Sequence, residues 1–301
     1  MTISFGVMLL QSRPIDDMID WAQRYEAAGA DSLWVCDHVA NSMNVEGLWW
    51  DGWVSLAALA RETTTARLGM LVTTFVSHPP LEMARLAASI DDASGGRFDL
   101  GIGAGGAAVD RSVGQSTATT MKELVHQLDG GLSELQTLLS GGRTQLPPAP
   151  TIAGRSVPPD IGLHNAVVPR RRIPIVIGGQ GPSTIDVAAR YADRWNTYGV
   201  GRGKDTDAFE ALSANSALLD ERARAAGREP ESIGRSVLLD VVPDLRATTV
   251  DELAELVRRV HGLGFAEVIA YSWIDPDMPR TDADLLRFIT DELPALRESL
   301  A

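Results

Sequence analysis

Two rhythms alternate along the chain. Short runs dense in Ile, Val and Leu predict buried strands, and longer stretches with apolar residues every three or four positions predict amphipathic helices. Ile3–Met8 is the first predicted strand, and Ile15, Met18, Ile19, Ala22 and Tyr25 mark a helix from about Pro14 that stops near Gly29. Ser32–Cys36 is the second strand, and a loop leads from it to Asp51, a suitable N-cap for a helix over Gly52–Thr64. Arg67–Val72 is followed by a helix after Pro79-Pro80, and Arg97–Gly103 by a helix over about Thr119–Leu139. From Ser140 to Arg172 the rhythm lapses, because Gly141-Gly142, Pro147-Pro148, Pro158-Pro159 and Pro169 interrupt any long element. It resumes with Ile173–Gly178, a helix Ser183–Tyr191, a short strand Arg194–Tyr198 and a long helix over about Asp205–Ala226. Strand Arg235–Asp240, helix Val250–His261, strand Phe265–Tyr271 and a last helix near Asp282–Ser299 complete the pattern.

Eight strand–helix units in one chain are the arithmetic of an α/β (βα)8 TIM barrel. A doubly wound sheet shares the alternation, but the even spacing and lack of a linker favour a closed barrel. Residues 1–301 are thus expected to form one domain, with an insertion over about 140–172 between units four and five. Chemistry in such a barrel lies where the strands end. That bounds the candidates to Leu9–Gln11, Cys36–His38, Val72–Phe75, Gly101–Gly106, Gly178–Gly181, Asn196, Tyr198, Asp240 and Tyr271–Trp273.

The 301 residues carry 27 basic and 40 acidic side chains, a net charge of −13, which argues against a nucleic-acid groove or a basic membrane-binding face. Only Lys122 and Lys204 are lysines. The lone Cys36 excludes a disulfide framework and a Cys-rich metal site, so no metal is expected. No apolar stretch is long enough to span a membrane, and the first residues run straight into a strand, so a cytoplasmic protein is expected.

Among the candidates, Asp37-His38 is the most reactive pair, since a histidine can move a proton near neutral pH and a carboxylate can fix a tautomer or accept from a polar ring edge. Cys36 reads as packing, His78 as a loop-shaping residue before two prolines, and His126 and His261 as structural. Arg170–Arg172 precedes strand five, at the end of the barrel away from the chemistry. Gly101-x-Gly103-x-x-Gly106 matches a dinucleotide fingerprint, but no acidic residue ends a strand about 20 residues later. Gly201–Thr206 is not a P-loop, because its first glycine and the spacing are missing. Gly178-Gly-Gln-Gly-Pro-Ser183 opens a helix and suits an anionic or carbonyl-bearing ligand. Leu48-Trp-Trp-Asp-Gly-Trp53 sets three large aromatics beside the strand-two exit, of which Trp53 reads as core.

In order along the chain, Leu33-Trp-Val-Cys-Asp-His38, Leu56-Ala-Ala-Leu-Ala60, Leu68-Gly-Met-Leu-Val72 and His78-Pro79 resemble the bacterial luciferase-like flavin and deazaflavin oxidoreductases. So do Ile90-Asp-x-x-Ser-Gly-Gly-Arg97, Leu100-Gly-Ile-Gly-Ala-Gly105, Ile175-Val-Ile-Gly-Gly-Gln-Gly181 and Ala188-Ala-x-x-Ala-Asp-x-Trp195. The resemblance implies a TIM barrel that binds coenzyme F420 or reduced FMN at the strand ends, commonly as a homodimer acting on a small molecule. The pattern is closer to the F420-dependent branch, in which Asp37 and His38 line the deazaflavin and His38 transfers a proton. A bulge with a non-proline cis peptide on strand three supports the flavin in that branch, with Leu71-Val72 as the candidate bond. Leu71, Val72, Thr73, Gly103, Ala104, Gly105, Gly106, Gly179, Gln180 and Gly181 are then the cofactor contacts, and Trp49, Trp50, Tyr198 and Trp273 the substrate contacts. One feature departs from the pattern. Several F420-dependent dehydrogenases carry an acidic glutamate just after the strand-four glycines, where this chain has Gly106-Ala-Ala and no carboxylate before Asp110. That weakens a sugar-phosphate dehydrogenase reading. An FMN-dependent monooxygenase and a non-catalytic flavin-binding barrel are the alternatives.

Overall fold

The computed structural model describes residues 2–41, 46–145, 162–164, 168–169, 171–201, 206–272 and 280–300. Eight strands close into a barrel: β1 (Ser4–Met8), β2 (Ser32–Val35), β3 (Arg67–Thr74), β4 (Phe98–Gly103), then β7 (Ile175–Gly178), β8 (Arg194–Thr197), β9 (Gly234–Leu238) and β10 (Glu267–Tyr271). Between β4 and β7 lies a separate antiparallel pair, β5 (Arg143–Gln145) with β6 (Gly162–His164). That pair falls within the segment read as an insertion, most of which lies outside the described residues. Every neighbour in the barrel is parallel, from Ser4 opposite Glu267 on β10 round to Gly6 opposite Ser32 on β2. Closure leaves no sheet edge and gathers all eight C-terminal strand ends at one mouth.

The helices wrap outside: α1 (Ile15–Ala28), α2 (Gly52–Glu62), α3 (Pro80–Ala93), α4 (Ala108–Val113), α5 (Met121–Leu139), α6 (Pro182–Tyr191), α7 (Ala208–Ala225), α8 (Val250–Gly262), α9 (Asp282–Arg287) and α10 (Leu293–Leu300). Their apolar stripes and the outward faces of the strands form one continuous core. Asp51 caps α2 through the Val54 N–H, as the sequence suggests, and Thr120 with Glu123 makes a capping box on α5. No described helix is long and apolar enough to cross a membrane.

Two elements differ from the sequence reading. The short helix α4 is absent from it, because six residues hold too few apolar positions to show a period. The final helix is interrupted by a wide turn at Phe288–Glu292, where the Leu293 N–H reaches Phe288. Pro294 has no N–H to give the Thr290 carbonyl, so the ordinary ladder cannot continue there.

The floor of the barrel is a charge cluster. Arg67 pairs with Asp99 and Glu267, and Arg194 lies 3.2 Å from Asp99 and 3.1 Å from Glu267. Ser32 Oγ donates to Glu267 at 2.7 Å and accepts from Trp34 Nε1 at 2.8 Å. Trp34 covers this cluster, and its indole fits because Gly69 beside it has no Cβ, which would stand 2.1 Å from the ring.

Candidate active site at the barrel mouth

β2 delivers Cys36, Asp37 and His38 to the mouth, and the two reactive residues turn to different partners. Asp37 is buried, and its Oδ2 accepts from Thr73 Oγ1 at 2.6 Å and from Trp53 Nε1 at 3.2 Å. His78 Nε2 lies 3.1 Å from the same oxygen. These partners come from β3, the first turn of α2 and the loop entering α3, so three neighbouring elements fix one carboxylate oxygen. Asp37 Oδ1 has no partner among the described residues.

His78 is therefore more than the loop-shaping residue of the sequence reading. Its hydrogen bond to Asp37 raises the imidazole above its ordinary value of 6.5, against the opposing effect of burial. A raised folded-state value contributes stability that is complete below pH 6.5 and fades as pH climbs through the shifted value. The gap in unfolding free energy between wild type and His78→Gln is thus expected to be largest below pH 6.5 and to shrink at alkaline pH. Urea titrations across that range check it, and a pH-independent gap would contradict it.

His38 Nδ1 lies 2.6 Å from Asp110 Oδ2, and Trp49 Nε1 donates to the His38 carbonyl at 2.7 Å. Asp110 sits on α4 with its side chain 3% exposed, and its Oδ1 accepts the Val39 N–H at 2.9 Å. The His38 side chain is 44% exposed, and nothing among the described residues bonds its Nε2.

The inner wall is apolar. Met8, Leu10, Trp34, Cys36, Leu71, Val176, Leu238 and Ile269 form a cluster separate from the outer core, with Trp49, Val72, Tyr198 and Tyr271 packed on it. Burial pushes the Cys36 thiol up to about 12, so it stays protonated and serves as packing. The wall thus includes the expected substrate contacts Trp49 and Tyr198. Trp50 is not part of it: the ring is exposed and its Nε1 donates to Arg13 O at 3.1 Å. Trp273 lies outside the described residues.

β3 carries the feature the resemblance implied. Its register against β4 shifts between Met70 and Thr73, and the Leu71–Val72 peptide is cis. Val72 projects toward β4 and β7, where a Cβ on Gly103 or Gly178 would meet its methyls at 2.7 and 2.8 Å. Gly105, in a left-handed conformation, and Gly179 are likewise required by packing, against Val76 and Thr184. Ala104 packs into the outer core. Packing alone therefore requires glycine at 103, 105 and 179. Gly106 and Gly181 differ. A Cβ on Gly181 would meet nothing within 4 Å, and one on Gly106 only Met121 Sδ at 3.9 Å. Gln180 Oε1 accepts from Thr197 Oγ1 and, at 3.3 Å, from the Tyr198 N–H.

Two nearby arginines are paired with carboxylates. Arg280 Nη2 lies 2.5 Å from Asp240 Oδ2 with both side chains buried, and Arg13 Nη1 lies 3.0 Å from Asp282 Oδ2. Arg202 and Lys204, which could meet an anion, lie outside the described residues. No group of three or more His, Cys, Asp or Glu that could hold a metal occurs among the described residues.

The sequence profile described as luciferase-like monooxygenase matches residues 1–272. The chain belongs to that family. Among luciferase-like relatives, it is 28% identical over 235 residues to the F420-dependent hydroxymycolic acid dehydrogenase of Mycobacterium tuberculosis, covering 77% of this chain and 61% of that protein. It is 29% identical over 224 residues to the F420-dependent glucose-6-phosphate dehydrogenase of Kineococcus radiotolerans, covering 73% and 62%. The chain thus spans about three fifths of the length of these two relatives. An F420-dependent secondary alcohol dehydrogenase solved with an F420-acetone adduct shares the fold, with a TM-score of 0.77 at 17% identity over 98% of this chain and 99% of that one. This luciferase-like chain is accordingly built on a closed parallel barrel.

Proposed function

We propose that this oxidoreductase uses coenzyme F420, exchanging a hydride with a small organic substrate at the barrel mouth. The observation that carries this reading is the pairing at the end of β2. Asp37 is pinned through one oxygen with the other unbonded among the described residues, and His38 is pinned through one nitrogen with the other likewise unbonded. The two F420-dependent relatives support it.

The residues present fit such a cofactor. An apolar wall stands beside a fixed carboxylate, and two backbone turns, at Gly106 and Gly181, are open to a ligand. When bound, F420 supplies the hydride donor or acceptor, and the protein supplies orientation and proton handling. Leu71 and Val72 would give the ring an apolar support. Asp37 would accept a hydrogen bond from a polar ring edge through Oδ1, and Thr73, Trp53 and His78 hold that carboxylate in place for it. Gly106, Gln180 and Gly181 would receive the polar chain. Trp49 and Tyr198 would exclude water from the substrate's side. His38 would give or take the proton that accompanies the hydride, through Nε2.

Following the F420 absorbance anaerobically against alcohols, aldehydes and ketones tests this reading. Oxygen-independent turnover of F420 is the expected result. The family's own description favours a second reading, an FMN-dependent monooxygenase. It requires turnover with reduced FMN and oxygen, and none with F420.

A further inference from the structure

We infer that Asp110 is the positioning residue for His38: it holds the imidazole in the Nδ1–H tautomer and so makes Nε2 the atom that exchanges a proton at the mouth. This rests on the proposed function only in giving His38 a proton to move.

An ionised carboxylate only accepts hydrogen bonds, so the nitrogen facing it must carry hydrogen. Asp110 Oδ2 lies 2.6 Å from Nδ1, which places the proton of the neutral ring there and the lone pair on Nε2. The carboxylate cannot swing away easily, because its other oxygen accepts the Val39 N–H at 2.9 Å and the side chain is almost fully buried. The element bearing it is fixed as well. The Gly114 N–H closes α4 on the Asp110 carbonyl at 2.8 Å, and a Cβ on Gly114 would stand 2.2 Å from the Val76 carbonyl, so α4 ends directly on the β3 exit loop. Asp110 therefore ties the β2, β3 and β4 exits together around one imidazole.

The consequence is chemical. When Nε2 takes a proton from substrate, the positive charge forms beside a carboxylate already in place, so no group has to reorient. When it returns the proton, the ring reverts to the same tautomer. Only the proton passes through His38, while the electron pair travels with the hydride. The ring's 44% exposure lets the proton pass between Nε2 and solvent. Asp37, its neighbour in sequence, turns to other partners, with Thr73, Trp53 and His78 on its Oδ2.

Asp110→Asn separates this role from a merely structural one. In the variant the amide oxygen stays on the Val39 N–H, and the amide NH2 turns to Nδ1. That forces Nδ1 to accept and puts the ring proton on Nε2. Nitrogen-15 spectra of the cofactor-free protein read the tautomer, with the His38 signals assigned by their loss in His38→Gln. Expected are a protonated Nδ1 in wild type and a protonated Nε2 in Asp110→Asn. Turnover with F420 should fall on the order of 10²-fold in kcat, the lower end of what a positioned acid or base contributes. F420 affinity should be unchanged. A wild-type ring protonated on Nε2, or a variant ring that keeps the wild-type pattern, would overturn the proposal. The wild-type spectrum decides alone if the variant does not fold. Because the spectra need no cofactor, failure of the F420 reading would show in turnover and leave the tautomer result standing.

Discussion

Arg280→Met is expected to lower the unfolding free energy by about 3–5 kcal/mol, the cost of leaving one partner of a buried ion pair uncompensated. Both side chains are essentially inaccessible, 1% for Arg280 and 0% for Asp240. Water therefore cannot take over from the guanidinium. Arg280 also donates to the Ala247 and Tyr271 carbonyls, at 3.3 and 3.4 Å, so its removal strands two further acceptors. The double variant Arg280→Met with Asp240→Asn should recover most of that loss, since it removes the buried charge rather than orphaning it. Asn also tolerates the left-handed backbone at position 240, where φ is 68°. Urea unfolding of wild type, single and double variants measures both steps. A single variant within about 1 kcal/mol of wild type, the range of an exposed pair, would show that the pair is not desolvated in solution.

His38→Ala is expected to reduce hydride transfer by about 10²–10⁴-fold, the contribution of a positioned proton donor or acceptor. Most of the loss should fall on kcat. His38 holds Trp49 only through its backbone carbonyl, which alanine retains, so the Trp49 contact is kept. Single-turnover kinetics with F420 check this. Unchanged hydride transfer with an unchanged pH profile would remove His38 from the mechanism. Asp110→Asn should stand between wild type and His38→Ala, because it misplaces the proton without deleting the group that carries it.

The barrel was legible in the chain because most of its strands are short apolar runs bounded by turn or helix signals, from Ile3–Met8 to Phe265–Tyr271. The end of β2 was legible for the same reason, since barrel geometry places whatever follows Val35 at the mouth. The partners were not. Asp110 reaches His38 across 72 positions, and His78 meets Asp37 from the loop before α3. Neither contact leaves a trace in periodicity, because Asp110 sits on a helix too short to show one and His78 in the loop before α3. The one available signal for Asp110 was its place as the first carboxylate after the strand-four glycines. The strand-end glycines carry a packing signal as well as a possible ligand signal. Gly103, Gly105 and Gly179 are small because Val72, Val76 and Thr184 need the space, a requirement the sequence does not separate from ligand contact.

Equilibrium titration of the purified protein with F420 and with FMN, in parallel, tests the cofactor assignment most directly. Saturable F420 binding is expected, weakened when Asp37→Ala removes the fixed carboxylate, with FMN binding weaker or absent. Tight binding of FMN with no binding of F420 would contradict it.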